Sequence, residues 1–412
     1  MTNGGPGERR LLIRDLEQLA TPAGGGSPLR GAELGAVEVT QKAYILCSAG
    51  RIEAIGEMSR LNLPNGEVEE LDGRGLCAIP GLVDCHTHAC FAGDRVDEFS
   101  LRAAGASYEE LHAAGGGILA TMRATRAAGE DALGAAVEEH RAWMLHAGTT
   151  TFEAKSGYGL DRDTELASLR AIREAGGVPT FLGAHAVPPE FRDGDAYLDY
   201  VIGEVLPEAA GNAEAADVFL ERGAFDARQA RRYLTEAQRL GLALRLHADQ
   251  FTEAGGVELA IELGARSVDH LEATREHGAR ALGGSDVIAV LLPVSALFLN
   301  RPRPPARQLV EAGAAVALAT DFNPGSAYCQ SLPFVCSLAC TQLGLSPAEA
   351  LAACTVNAAH VLSRADRKGR LGSGYDADIV LLGAPDWRYL AYHLAGDVVA
   401  RVIKDGETIW QR

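Results

Sequence analysis

Val83-Asp84-Cys85-His86-Thr87-His88 follows an apolar, glycine-bounded run, Leu76-Cys77-Ala78-Ile79-Pro80-Gly81-Leu82, and reads as the end of a buried strand. Residues two apart on a strand point to the same side, so His86 and His88 present both imidazoles to one point. Neutral imidazole ligates zinc, iron and related divalent metals, and two on one face make half a site. The plainer alternative is two polar residues at a strand end, hydrogen-bonded to loops. What decides between them is whether other strands also end in metal-ligating residues.

Downstream of this stretch, strands alternate with helical segments. Thr149–Ala154, Pro179–Ala184, Ala216–Leu220, Leu242–His247, Ser267–His270, Val287–Leu292 and Ala314–Thr320 are apolar or β-branched runs, each flanked by Ala/Leu/Glu-rich sequence. In Asp131–His146 the residues Leu133, Ala136, Val137, His140, Trp143 and Met144 share one helical face, and Gly148 closes the helix. With the strand at Leu82–Cys85 this makes eight strand–helix units over roughly the 250 residues or more of a (β/α)8 TIM-like barrel. An open doubly wound sheet is the rival, but its phosphate or dinucleotide loop after the first strand is missing. Gly115-Gly116-Gly117 follows helix-like sequence without a Lys-Ser/Thr and reads as a loop near the site mouth.

Both chain ends have a different texture. Leu11–Ile13, Ala36–Val39, Ala43–Cys47, Ile52–Ile55 and Val68–Leu71 are short β-like pieces, with Asn65-Gly66 and Asp72-Gly73 as turns. Ala377–Leu382 and Val398–Ile403 match them, and Asp405-Gly406 marks a hairpin before Thr408–Trp410. Neither group buries a core alone. A small β-sandwich domain from residues 1–78 and 366–412 beside a barrel at 79–365 is the expected organisation.

Composition narrows the function classes. An apolar fraction of 47% and a charged fraction of 23% suit an ordinary globular protein. The net charge of −17 offers no basic surplus for a nucleic-acid backbone, though one well-placed Arg suffices for a small anionic substrate. No run of about 20 apolar residues occurs, so no membrane span is expected. The polar stretch Met1 to Arg10 lacks the apolar core of a signal peptide. The eight cysteines lack paired spacing and read as reduced thiols of a cytoplasmic protein.

In a parallel barrel, functional residues sit where strands end. That rule selects His86 and His88 after the first barrel strand, Lys155 after the second and His185 after the third. It continues with Glu221, His247, His270 and Asp321 at the ends of the fourth, fifth, sixth and eighth. Five of the eleven histidines fall at such places, more than scatter explains. A minimal site is His86, His88, His247 and Asp321 around one divalent metal, with an open position for water. An unpaired carboxylate at Asp321 would be costly beside the apolar run, so a partner is expected. His270 is a candidate for bonding a substrate carbonyl or moving a proton.

This ordered set resembles the amidohydrolase superfamily, and within it the imidazolonepropionase family more closely. The matching residues are Asp84-Cys85-His86-Thr87-His88, Gly93-Asp94-Arg95 and Glu98-Phe99-Ser100-Leu101-Arg102. They continue with Ala114-Gly115-Gly116-Gly117-Ile118, Glu153-Ala154-Lys155-Ser156-Gly157-Tyr158-Gly159 and Gly183-Ala184-His185. The last are His247-Ala248-Asp249-Gln250, Asp269-His270-Leu271 and Thr320-Asp321-Phe322-Asn323-Pro324-Gly325-Ser326. The resemblance implies His86, His88, His247 and Asp321 as ligands of zinc or iron, with Asp321 and His270 managing protons. It implies Arg95, Tyr158, His185, Gln250, Asn323, Gly325 and Ser326 as substrate contacts, with Tyr108 a further one, and a homodimer. The implied reaction is hydrolysis of a cyclic amide in a small anionic heterocycle, 4-imidazolone-5-propanoate, to N-formimino-L-glutamate in histidine degradation. Arg95 supplies a guanidinium fork for a carboxylate; its plainer alternative is an ion pair with Asp94 or Asp97.

Three departures bear on this. Two-metal superfamily members carry a carbamylated lysine near the end of strand 4, whereas here that strand ends Phe219-Leu220-Glu221, which points to one metal. Superfamily deaminases carry a Glu three residues after the strand-5 His; Gln250 stands here and cannot carry a proton. Phe219-Leu220-Glu221 and Leu292-Pro293-Val294 also differ from the family pattern. The competing functions are deamination of a nucleobase-like ring and a metal-free structural relative.

Overall fold

The computed structural model describes residues 10–24, 26–63, 66–105 and 116–412. Tyr108, Ala114, Gly115 and Asn65, named above, lie outside the described residues.

Eight parallel strands run in sequence order: β6 (Leu82–Asp84), β7 (Thr149–Lys155), β8 (Val178–Ala184), β9 (Ala215–Leu220), β10 (Ala243–Ala248), β11 (Ser267–His270), β12 (Ile288–Leu291) and β13 (Ala315–Leu318). Helices such as Glu130–His146, Arg162–Glu174 and Ala227–Arg239 lie between them. The last of these opens with a capping box, Asp226 bonding the Gln229 N–H and Gln229 reaching back to Asp226. Such strands are buried on both faces, which is why they read as continuous apolar runs.

Closure happens beyond the strands proper. The Asp321 N–H donates to the His86 carbonyl at 3.0 Å, and the His88 N–H to the Phe322 carbonyl at 2.9 Å. The segments that join the first and last strands therefore also carry the metal-ligand candidates. Four non-glycine residues at these strand ends, Asp249 (φ +54°), His270 (+86°), Leu271 (+71°) and Asp321 (+55°), adopt left-handed backbone. Each costs about 1–3 kcal/mol and persists because neighbouring hydrogen bonds over-determine it.

The chain termini build a second sheet in the order β16-β15-β14-β5-β1-β2-β3, with β4 (Glu69–Asp72) parallel to β1. Here β1 is Arg10–Pro22, β2 Val37–Ser48, β3 Arg51–Glu57, β5 Cys77–Pro80, β14 Ile379–Leu382, β15 Val399–Lys404 and β16 Glu407–Gln411. Ile13, Leu16, Leu19, Ile45, Ile52, Ile379, Leu381 and Ile403 form its core, a small sandwich contributed by both chain ends. β1 and β2 are longer than the short pieces expected. A register shift between Ile13 and Leu16, with Asp15 at φ +57°, lets β1 continue through Arg14–Gln18, whose polar side chains are largely at the surface.

Asn357 ties the N-terminal segment to the barrel. Its side chain accepts from the Leu29 N–H at 2.8 Å and donates to the carbonyls of Leu29 (2.9 Å) and Val316 (2.8 Å). All eight cysteines are free thiols, and the Sγ atoms of Cys336 and Cys354 stand 3.4 Å apart in the core. Among the described residues no helix is long and apolar enough to cross a membrane.

Candidate active site

His86, His88, His247, His270 and Asp321, from four different strand ends, meet at the C-terminal rim of the barrel and are all nearly inaccessible to solvent. Nε2 of His88 lies 3.3 Å from Nε2 of His247 and 3.4 Å from Asp321 Oδ1, and Nε2 of His86 lies 3.6 Å from the same oxygen. Donors placed about 2.0–2.2 Å from one ion at tetrahedral angles stand about 3.4 Å apart, so the spacing fits a divalent metal. His86 Nε2 and Asp321 Oδ1 are buried with no hydrogen-bond partner.

Charge state supports the same fit. Burial, together with the nearby Lys155 ammonium, holds His86 and His88 well below the usual imidazole pKa, and burial takes His247 to about 3. All three are neutral at pH 7, as ligation requires. Burial raises Asp321 above the ordinary carboxylate range. Lone pairs of several buried acceptors thus face one another, an unfavourable arrangement unless a cation sits among them.

Beneath the rim lies a fully buried array of charges. His86 Nδ1 is 2.6 Å from Asp269 Oδ2, which also takes Arg245 Nη2 at 2.9 Å. Arg245 Nη2 donates to the Cys85 carbonyl at 2.6 Å, and Nη1 lies 3.0 Å from Glu153 Oε1. Glu153 takes Lys155 Nζ at 2.8 Å, Lys155 reaches Asp217 at 3.0 Å, and Asp217 Oδ2 is 3.1 Å from His247 Nδ1. The carboxylate on His86 Nδ1 keeps the proton there and turns Nε2, as a lone pair, to the centre, while Asp217 pairs with the Nδ1 side of His247. Two cations and three carboxylates thus link His86 to His247 in one chain of contacts. Sequence reasoning names Glu153 and Asp269 within matching strings without a role, misses Asp217 and Arg245, and places Lys155 among the rim candidates. In the structure Lys155 serves this array from below.

The remaining candidates divide. Tyr158 and His185 come to the cluster: the His185 ring stacks 5.3 Å from that of His88, and the Tyr158 ring lies 5.4 Å from His185. His185 Nδ1 is 2.9 Å from the Gly157 carbonyl. That loop is clamped by Glu165, whose carboxylate accepts the N–H groups of Gly157, Gly159 and Leu160 at 2.8–3.0 Å. Gln250 donates to Ser295 Oγ at 3.4 Å. Asn323 turns onto its own loop, donating to the Asp321 carbonyl (2.6 Å) and Ser326 Oγ (2.9 Å) and accepting from Gly325 and Ser326 N–H (2.8 Å each). Arg95 pairs with Glu98 rather than Asp94 or Asp97, at 2.8 and 2.6 Å, and packs Nη1 against Gly325, where any Cβ would lie 2.0 Å away. Glu221 turns from the centre to hold the loop after β10, accepting from Phe251 N–H at 2.8 Å and Thr252 N–H at 3.1 Å. His270 Nδ1 stands 3.5 Å from Glu272 Oε1; burial opposes charge on this ring, but the carboxylates of Glu272, Asp321 and Asp269 together outweigh it and raise the pKa.

Comparison with known proteins places the chain in a family. The model of the amidohydrolase family matches residues 77–409. The chain is 62% identical over 96% of its length to the imidazolonepropionase of Rubrobacter xylanophilus, covering 97% of that protein. To the imidazolonepropionase of Herpetosiphon aurantiacus it is 45% identical, covering 97% of this chain and 96% of the relative. Among solved structures, a zinc-bound adenosine deaminase from Xanthomonas campestris superposes with a TM-score of 0.71 at 18% identity, covering 97% of this chain and 92% of the other. E. coli guanine deaminase does so at 0.69 and 15%, covering 98% and 99%. At such identities these two show the fold alone.

Proposed function

The chain belongs to the amidohydrolase family, among its imidazolonepropionases, and we propose that it opens the ring of 4-imidazolone-5-propanoate with water to give N-formimino-L-glutamate, a step of histidine degradation. The observation that carries this reading is the run of close donor atoms His247 Nε2–His88 Nε2 (3.3 Å), His88 Nε2–Asp321 Oδ1 (3.4 Å) and Asp321 Oδ1–His86 Nε2 (3.6 Å). We assign these four as ligands of one zinc or iron(II) ion, since a His3Asp donor set suits both. A divalent ion there supplies Lewis acidity, polarising a carbonyl and lowering the pKa of water toward neutrality.

The chain's own residues do the rest. Arg95, braced by Glu98, offers its outer guanidinium edge to the propionate, and Gly325 leaves the room for it. Tyr158 contributes a phenolic donor. His185, its Nδ1 proton held by Gly157, presents Nε2 as an acceptor to the ring. The loop folded around Asn323 brings the backbone of Gly325 and Ser326 to the same side, and Gln250 adds an amide that binds without carrying a proton. Hydrolysis adds hydroxyl to the carbonyl carbon and a proton to the leaving ring nitrogen. Asp321 accepts the proton lost by water, and His270 takes part in passing it to the nitrogen. The eight free thiols suit a reducing compartment such as the cytoplasm.

The test is an assay of the purified protein on freshly prepared imidazolonepropionate, before and after chelation. Ring opening that stops on chelation and returns with zinc or iron(II) is expected. Ammonia release from cytosine or guanine, with imidazolonepropionate untouched, would point to a deaminase instead.

A further inference from the structure

Three of the site histidines have an evident anchor for Nδ1: Asp269 for His86, Asp217 for His247 and the Gly157 carbonyl for His185. His270 ends β11, and the chain then turns sharply. His270 and Leu271 are both left-handed, at φ +86° and +71°. The turn is pinned by the Leu271 N–H on the Ala248 carbonyl (3.2 Å), the Ala273 N–H on the Asp249 carbonyl (2.7 Å) and the Thr274 N–H on the Leu271 carbonyl (3.1 Å). Two successive strained residues cost about 1–3 kcal/mol each, and they bring the Glu272 carboxylate to the His270 ring.

Glu272 is buried, with 8% of its surface accessible. No Lys or Arg among the described residues forms an ion pair with it; His270, at 3.5 Å, does. Its second oxygen, Oε2, is buried without a partner. A buried carboxylate left to itself is expensive, so this one is matched to the imidazole beside it. Gln250 cannot move a proton, which leaves proton transfer to Asp321 and His270 and makes the orientation of that ring matter.

We propose that Glu272 is a positioning residue for ring opening: its carboxylate holds the proton on His270 Nδ1, so that Nε2 is the nitrogen offered to the substrate. The inference rests on the hydrolase reading above. Glu272 acts only through His270, so its removal has no consequence once that ring is gone.

Glu272→Ala and Glu272→Gln are compared with wild type, alone and combined with His270→Ala, for kcat, KM, metal content and Tm. The His270 tautomer is read by nitrogen-15 NMR of histidine-labelled protein. Glu272→Ala is expected to lower kcat about 10- to 100-fold with KM, metal content and Tm unchanged, as for loss of a partner that orients an imidazole. Glu272→Gln, whose Oε1 still accepts from Nδ1–H, recovers most of that loss. In the His270→Ala background Glu272→Ala costs nothing further. In wild type the His270 proton sits on Nδ1, and in Glu272→Ala it is distributed over both nitrogens. Full activity of Glu272→Ala, additive losses in the double variant, or an unchanged tautomer would overturn the proposal. A wild-type protein that opens no ring defeats the hydrolase reading instead, and the NMR result still judges Glu272.

Discussion

His86 Nδ1 stands 2.6 Å from Asp269 Oδ2, and that oxygen is simultaneously 2.9 Å from Arg245 Nη2. One carboxylate thus fixes the tautomer of a metal-ligand candidate and neutralises a buried guanidinium. Asp269→Asn removes the charge while keeping the shape. Affinity for the ion is expected to fall about 10- to 100-fold, measured by chelator competition. Unchanged affinity would mean that the His86 orientation is set by packing alone.

Arg245 is the larger structural commitment. It is among the most completely buried side chains and contacts Asp269, Glu153 and the Cys85 carbonyl. Arg245→Leu takes the shared guanidinium from Asp269 and Glu153, leaving them His86 and Lys155 alone, and should destabilise the fold by about 3–5 kcal/mol in urea unfolding. Arg245→Lys, with a single ammonium in place of the fork, falls between. A loss below about 1 kcal/mol for the Leu variant would show that the array relaxes by taking up protons.

At the mouth, Gly325 permits Arg95 to lie where it does, because an added Cβ would sit 2.0 Å from Nη1. Gly325→Ala displaces the guanidinium from the propionate. KM should rise about 10- to 100-fold, the worth of a charge-assisted hydrogen bond of about 1.5–3 kcal/mol, with kcat and metal content retained. A fall in kcat at constant KM would place Arg95 away from the substrate tail.

His140 carries a pH signature remote from the cluster. Its Nδ1 is 2.8 Å from the Ala89 carbonyl and its ring stacks 4.4 Å from Phe91. Burial lowers its pKa below the ordinary 6.5, so the unfolded chain binds a proton where the folded one does not. Stability contributed by this group is therefore full above about pH 6.5 and falls as pH drops below it, toward the folded-state pKa. Between about pH 7.5 and 5.5, either side of the unfolded value, chelated His140→Gln should lose less stability than chelated wild type in urea unfolding. Parallel losses would show that His140 titrates alike in both states.

The barrel was legible because each of its strands is an apolar run between loops. Ser267–His270 coincides with β11, and Thr149–Ala154 falls one residue short of β7. The terminal sheet was less so, since Arg14–Gln18 and Glu38–Lys42 are polar or charged apart from Leu16 and Val39, and β1 bends at a bulge. The histidines and Asp321 stood out as polar residues where apolar runs stop. Glu153, Asp217, Arg245 and Asp269 did not, because a charge inside such a run looks like an interruption. Spacing held the signal: Glu153 and Lys155, like Arg245 and His247, are two apart on one strand and share a face. That Asn323 would fold its amide onto its own loop depends on backbone geometry that residue type alone does not reveal.

The central claim is that four side chains from distant parts of the chain share one ion. Anomalous diffraction from crystals of the metal-loaded protein, collected at the zinc and iron edges, tests it most directly. One peak per chain about 2.0–2.3 Å from His86, His88 and His247 Nε2 and from an Asp321 oxygen is the predicted result. Two peaks, or a single peak beyond reach of any of the four, would contradict it.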